Sequence, residues 1–526
     1  MLITEILSRN ARMYGDEVAL IERVPAENRR TEISWSEFDT IAHKVSNALV
    51  SKNAAKGAKV VHLMMNCLEW LPIYFGILRT GAVAVPLNFR FGSKTISSCI
   101  RTAEASVIFF GEEFIDRIDA VKHEMDTCLR TYIFVGSRDK CPGYAHHYDD
   151  IIAEAPAHPL RVDISILDDA SLYFTSGTTG EPKAALLTHR NLEFACFVEN
   201  RHHRQTHEDR FLCIPPLYHT GAKMHWFGSF IVGGRAVILK GIEPRWILET
   251  VSEERITIVW LLVPWALDIL LAIESGEINL GGYNLDQWRL MHIGAQPVPK
   301  SLVQEWLKIF PHHQYDTNYG LTESTGPGCV HLGIGNIDKV GAIGIPGFDW
   351  EYQIVDSDLN PVPPETPGEL ILKGAGVMKE YYNNPEATGK AIVDGWLLTG
   401  DIAKVDRDGF IWLVDRKKDV VITGGENIYP VEIEDFLQAH PRIKDVAVIG
   451  LPSSRLGEIA AAIIEPKPGS TLTEEEVLTF CKDLPRYKRP RKIIFDEVPR
   501  NPTGKIEKPR LRKKYTGSEK SFTINP

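Results

Sequence analysis

Cysteine is scarce in this 526-residue chain and nowhere paired. The eight residues (Cys67, Cys99, Cys128, Cys141, Cys196, Cys213, Cys329 and Cys481) are scattered without a CxxC. That excludes a cysteine zinc site and a disulfide framework and suits a reducing, cytoplasmic setting. Positive charge is in deficit: 59 Lys and Arg against 69 Asp and Glu give a net charge of −10, which argues against general nucleic-acid binding. Long apolar runs are missing as well. The nearest approach, Ile256 to Ile273, is interrupted by Pro264 and Asp268, so it reads as a buried strand, ITIVWLLV, and a helix starting at Pro264. No integral membrane segment is expected. The opening MLITEILSRNARMYGDE mixes acids and bases with apolar positions and lacks the pattern of a signal peptide. There is no GxxxxGK[ST], and no GxGxxG opens a helix after a strand, which disfavours P-loop NTPases and dinucleotide-binding dehydrogenases. His202-His203 and His312-His313 lack carboxylates at metal-ligand spacing and read as surface residues. Internal repeats are absent.

What is present begins with size. A chain this long needs two or more domains. Over the first 400 residues short apolar runs (AKVVHLMMN, AVAVPLN, SVIFFG, TYIFVG, RAVIL, WRLMHIG) alternate with amphipathic stretches such as EWLPIYFGILRTG. Strands alternating with helices predict βαβ units and a mostly parallel α/β sheet. The texture changes near Asp415, where RKKDVVITGGENIYP mixes charges, glycines and a proline. A large domain over 1–415, a link at 416–419 and a small α+β domain over 420–526 are expected. Within the last, Thr473-Glu-Glu-Glu reads as a capping box. From Lys482 to Lys514, 13 Lys and Arg face four acids, which makes either a solvated surface or a face for a polyanion such as nucleotide phosphate.

The most informative stretch is Tyr173-Phe-Thr-Ser-Gly-Thr-Thr-Gly-Glu-Pro-Lys183. Thr175, Ser176, Thr178 and Thr179 offer hydroxyls, Gly177 and Gly180 let backbone N–H groups approach a phosphate, and Lys183 adds a point charge. The stretch resembles the signature loop of the adenylate-forming superfamily, which includes acyl- and aryl-CoA synthetases, nonribosomal adenylation domains and beetle luciferases. Further motifs of that family follow in its order, so the resemblance covers essentially the whole chain.

The resemblance implies a role for each matching residue. Gly294, Ala295 and Gln296 line the adenine side and Tyr319 stacks on the base. Thr322 donates to a phosphate, and Glu323 holds Mg²⁺, a hard cation suited to one carboxylate plus phosphate oxygens. Asp401, in Thr399-Gly-Asp, and Arg416 contact the ribose. Lys418 marks the hinge. Gly424, Gly425 and Glu426 form a wall of the CoA tunnel. Lys505, in Asn501-Pro-Thr-Gly-Lys-Ile506, bridges the substrate carboxylate and the α-phosphate, where a cation relieves their repulsion. His219, in PPLYH, matches the family's segment between the nucleotide and acyl sites and serves as a gate and pocket wall.

Gly221, Lys223 and Met224 lie on the helix expected to line the acyl pocket. Gly320, where acetate-specific relatives carry Trp, suggests an acid larger than acetate or propionate. Lys223 and His225 either meet a second polar group on the acid or point to solvent. The expected function is an ATP-dependent carboxylic acid:CoA ligase that uses ATP, Mg²⁺ and CoA and acts on a medium-chain, cyclic or aromatic acid. The alternatives are an enzyme that loads a carrier-protein phosphopantetheine and a non-catalytic acyl- and nucleotide-binding protein.

Overall fold

The computed structural model describes residues 1–125, 128–175, 182–294, 298–331, 337–423, 426–453, 455–500 and 506–516. The chain forms two compact units. The first comprises Met1–Gly294, Val298–Tyr352 and Leu372–Leu398, and the second includes Gln353–Ile371 and the chain from Thr399 onward.

In the first unit, short apolar runs without alternation become strands covered on both faces. Ile258–Leu262 and Leu290–Gly294 are buried at every position and pair in parallel, with Ile258 opposite Leu290. Among the described residues, a seven-stranded sheet runs in the order Gln314–Asp316, Leu290–Gly294, Ile258–Leu262, Arg210–Cys213, Arg235–Leu239, Val18–Val24, Arg29–Ser34. All its pairings are parallel except the final hairpin. An eight-stranded sheet runs Glu380–Tyr381, Lys183–Thr188, Asp169–Thr175, Val83–Pro86, Lys59–Leu63, Val107–Gly111, Thr131–Val135, His146–His147. Its first three strands are antiparallel and the rest parallel. The expected α/β architecture is therefore observed.

The helix Trp70–Arg79 is buried at all its positions, and Thr220–Phe230 at all but Gly221. Phe75 meets Phe38, Phe230 and Phe227 with ring centroids 5.3, 5.1 and 6.0 Å apart. Each such pair adds about 0.5–1.5 kcal/mol beyond its area burial. The membrane-like segment resolves into the strand Ile258–Leu262 and the helix Val263–Glu274, with Pro264 in its first turn. No helix among the described residues is long and apolar enough to cross a membrane.

The second unit contains a sheet of Glu426–Ile428, Val421–Thr423, Gly457–Pro466 and Ile443–Ser453, with Lys492–Phe495 parallel to Gly457–Pro466. The helices Pro430–Gln438 and Glu474–Phe480 bury Ile433, Leu437 and Val477 against Val446, Val448 and Ala462. Thr473 caps the second helix by accepting from the Glu476 amide, while Glu476 reaches back to the Thr473 amide. This unit begins upstream of residue 415, because Asp401–Val405 pair antiparallel with Ile411–Arg416 within it.

One turn of the first unit depends on glycine. Gly344, at φ +95°, precedes the strand Ile345–Pro346, and a Cβ there would lie 2.0 Å from the Val330 carbonyl oxygen. Gly344→Ala is expected to destabilise the unit by about 3 kcal/mol, combining an unfavourable φ with a backbone clash. Thermal unfolding should show a midpoint several degrees lower; an unchanged midpoint would refute the close approach.

Candidate active site

The site residues of the first unit come from strand ends and the turns after them. Thr175 closes the strand Asp169–Thr175, and Lys183 opens the antiparallel return strand opposite it. Thr322–Ser324 form a single tight turn in which the Ser324 hydroxyl accepts from the Leu321 amide at 2.8 Å. Thr325 follows in a left-handed conformation, φ 62°, and its hydroxyl donates to the Gly376 carbonyl at 2.7 Å. That locked turn presents Glu323. Tyr381 donates to Glu323 Oε1 at 2.7 Å, and the Thr175 hydroxyl lies 3.5 Å from the same oxygen. Lys183 Nζ sits 5.0 Å from the centre of the Tyr381 ring. The structure thus brings together Thr175, Lys183, Thr322 and Glu323, and adds Tyr381, which sequence reading missed. Among the described residues both hydrogen bonds to the Glu323 carboxylate fall on Oε1, which orients it and leaves Oε2 for a hard cation such as Mg²⁺. Ser176, Gly177, Thr178, Thr179, Gly180, Ala295, Gln296, Gly424, Gly425 and Lys505 lie outside the described residues. Glu426 begins the strand Glu426–Ile428.

The PPLYH loop is tied down from two sides. Asn66 donates to the Pro215 carbonyl at 3.0 Å and accepts from the Leu217 amide at 2.8 Å. Lys223 donates to the carbonyls of Leu217 at 2.8 Å and His219 at 3.3 Å. Its ammonium lies 4.6 Å from the Tyr173 ring centre, with Trp70 and Tyr74 just beyond. Burial pushes the Lys223 ammonium well below its usual range. Lys223 is buried and does not point to solvent; it anchors the loop that carries His219. Met224 is fully buried in the main apolar cluster.

His225 also turns inward, into a buried network. Its Nδ1 meets the Gly221 carbonyl, and its Nε2 lies 2.8 Å from His292 Nε2 and 2.9 Å from Asn318 Nδ2. His292 Nδ1 reaches Asp316 at 2.9 Å, and His202 and His203 each place Nε2 2.7 Å from the same carboxylate. This corrects the expectation that His202 and His203 are surface residues. Their carboxylate partner is more than a hundred positions away, so no local spacing could reveal it. His313 is likewise buried, accepting from Trp306 Nε1 at 3.2 Å, while His312 is exposed. Ligand-type atoms of His202, His203 and Asp316 lie within 4.8 Å of one another, yet hydrogen-bond distances to one carboxylate already account for them.

Tyr319 is buried in the short strand Asn318–Gly320. At Gly320, a Cβ would lie 2.3 Å from the Gly326 carbonyl oxygen, so close backbone approach already requires glycine there. There is more room at Gly221, where among the described residues beyond its own helix a Cβ would meet only Trp260 within 4 Å, at 3.4 Å.

In the second unit, Asp401 and Arg416 are direct cross-strand partners, with Arg416 Nε 2.6 Å from Asp401 Oδ1. Gly400, at φ +71°, immediately precedes Asp401 within a strand. Lys418 is exposed, and desolvation by the groups packed around it lowers its pKa. Just before this segment, Asp415 accepts from the amides of Val431 at 3.0 Å and Arg416 at 2.6 Å. Burial nevertheless pushes its carboxyl up to about 6, with nearby Lys508 only partly offsetting it. The folded state therefore holds this proton more tightly than the unfolded chain. Its stabilising contribution is complete below about pH 4 and is lost as pH rises through about 6. Asp415→Asn should remove that dependence: between pH 4.5 and 7.5 the variant should gain about 2 kcal/mol on the parent in denaturant unfolding of the second unit. A pH-independent difference would show that Asp415 is ionised throughout.

The comparisons with known proteins agree with this geometry. Residues 7–382 match the family model of the AMP-binding enzymes, and residues 432–505 match that of the AMP-binding enzyme C-terminal domain. The chain is 32% identical over 489 residues to a feruloyl-CoA synthase of an Amycolatopsis species, covering 92% of this chain and 94% of that one. It is 31% identical over 491 residues to a long-chain-fatty-acid–CoA ligase of Mycobacterium tuberculosis, with the same coverage. Among solved structures, an anthranilate CoA ligase in complex with anthranoyl-AMP superposes with a TM-score of 0.86 at 25% identity, covering 98% of this chain and 97% of that one. With the family model spanning most of its length, the chain belongs to the AMP-binding enzymes, as an AMP-forming acid–thiol ligase of their acyl- and aryl-CoA synthetase branch.

Proposed function

We propose that the protein adenylates a medium-chain, cyclic or aromatic carboxylic acid with ATP and transfers the acyl group to CoA, releasing pyrophosphate and AMP. The observation that carries this reading is Glu323, locked in its turn and oriented by Tyr381 beside Thr175. Tyr319 and the 294–296 loop hold adenine, while Asp401 and Arg416 hold the ribose. The 175–183 loop and Thr322 donate to phosphate oxygens. Lys505 aligns the acid carboxylate with the α-phosphate, the carboxylate oxygen attacks phosphorus, and the bond to pyrophosphate breaks. Mg²⁺, when bound at Glu323, offsets charge on the phosphates. Rotation about Lys418 then exchanges Lys505 for the 424–426 loop. The CoA thiolate attacks the acyl carbon and AMP leaves. His219 stands between the two halves of the site. Eight free cysteines support a reducing, cytoplasmic setting.

Pyrophosphate release, measured with a panel of acids with and without CoA and coupled to mass detection of the thioester, tests the reading. Acid-dependent release with an acyl-CoA product is expected. Release without thioester would redirect the acyl group to a carrier protein, and silence across the panel would favour a non-catalytic protein. Lys505→Ala should slow adenylation roughly a hundredfold or more while still converting preformed acyl-adenylate to thioester; equal loss of both half-reactions would refute its role. Tyr381→Phe, which frees Glu323 Oε1, should raise KM for Mg·ATP about tenfold with little change in the KM for CoA. Parallel changes in both would point to a structural role.

A further inference from the structure

In the second unit a buried carboxylate faces the peptide that leads into Asp401. Glu369 lies on the strand Gly368–Lys373 and is 6% exposed. Its Oε1 accepts from the Gly400 amide at 3.0 Å, and its Oε2 accepts from Lys417 Nζ at 2.8 Å. These two donors flank the cross-strand pair, one directly before Asp401 and the other directly after Arg416. They are also joined to each other, because the Lys417 amide donates to the Gly400 carbonyl at 2.9 Å. The next residue along from Glu369 completes the attachment. The Leu370 carbonyl accepts from the Thr399 hydroxyl at 2.6 Å, and that hydroxyl accepts from the Asp401 amide at 3.1 Å. The Gly400 N–H, the Gly400 carbonyl and the Asp401 N–H are therefore each held by a separate group.

Fold stability gives little reason for an acid at position 369. A buried ion pair is often no better than apolar side chains of similar volume. The lysine offsets little of the burial, because its side chain is 58% exposed and pairs of that kind add almost nothing. What the carboxylate secures is the Gly400 amide. Gly400 has φ +71° inside the strand Trp396–Val405. Among the described residues beyond its chain neighbours, a Cβ there would meet nothing within 4 Å, so conformation and not crowding accounts for the glycine. A left-handed residue within a strand disturbs the regular ladder, and its amide then needs another acceptor. A carboxylate is acceptor-only at both oxygens, which matches two converging donors.

We propose that Glu369 is a positioning residue for the nucleotide. It fixes the left-handed Gly400 peptide and, through that peptide, the direction in which the Asp401 carboxylate meets the ribose hydroxyls. The proposal rests on the ribose reading of Asp401 and adds to it a residue that acts only through its neighbour.

The test reads recognition of one ribose hydroxyl by the full-length enzyme. It compares kcat/KM in pyrophosphate release for ATP and 3′-deoxy-ATP and, independently of turnover, calorimetric Kd values for AMP and 3′-deoxy-AMP. The native enzyme should prefer the hydroxylated member about ten- to a hundredfold in both, as a hydrogen bond to a charged group implies. Glu369→Gln keeps the shape but sets an N–H against one of the two donors, so it should bring both ratios down to about threefold or less. Gly400→Ala disturbs the same peptide through φ alone and should lower them too, which keeps the test available if the Glu369 variant misfolds. Ratios that both variants preserve, or an equal fall in kcat/KM for ATP and 3′-deoxy-ATP, would overturn the proposal. Asp401→Asn separates it from the reading beneath. If that variant loses the preference while Glu369→Gln keeps it, Asp401 binds the ribose and only the role of Glu369 fails. A native ratio near one would remove the ribose reading and the proposal together.

Discussion

A single buried carboxylate organises the first unit. Asp316 ends an edge strand of the seven-stranded sheet and accepts from His202 and His203, at the end of one helix, and from His292 on the neighbouring strand. Burying a lone carboxylate costs several kcal/mol. Three charge-assisted hydrogen bonds, at about 1.5–3 kcal/mol each, are of the size needed to offset it. Through His292 the constraint reaches His225 and through His225 it reaches Asn318, so the helix Thr220–Phe230 and the strand carrying Tyr319 are set by the same anion. The positions of that helix and that strand are in this sense secondary to one buried charge. Loss of Asp316 would leave several imidazoles without their acceptor at once, which is why the network behaves as a unit rather than as separable pairs.

Much of the architecture was readable in advance, and for local reasons. Continuous apolar runs such as SVIFFG and WRLMHIG can only be strands covered on both faces, and they are Val107–Gly111 and Leu290–Gly294. Pro264 converts a membrane-like stretch into a strand and a helix because its ring suits a first helical turn. The Thr473 capping box is likewise a property of four consecutive residues. The hairpin Asp401–Arg416 was half visible. Both residues were identified through their motifs, but their direct pairing depends on register, which no single-strand pattern encodes.

What escaped sequence reading was set by distance along the chain. Tyr381 orients Glu323 from 58 positions away, Asn66 holds the PPLYH loop from 151 away, and Asp316 meets His203 from 113 away. Each of these residues is ordinary in its own neighbourhood. Lys223 and His225 show the complementary difficulty. Polar residues on an apolar helix signal something, but whether they face substrate, solvent or their own backbone depends on groups supplied by other elements. Here carbonyls and rings of the core take both.

The anchoring of residues 214–219 sets how any gate at this place can work. With Asn66 on one side and Lys223 on the other, the main chain under His219 is clamped at several carbonyls and amides. A swinging flap is not available to such a segment. The imidazole moves there by turning about its own side-chain bonds, against the Tyr218 ring 4.3 Å away, and not with a lid. Any gating by His219 would then be a change of rotamer and not a displacement of the loop.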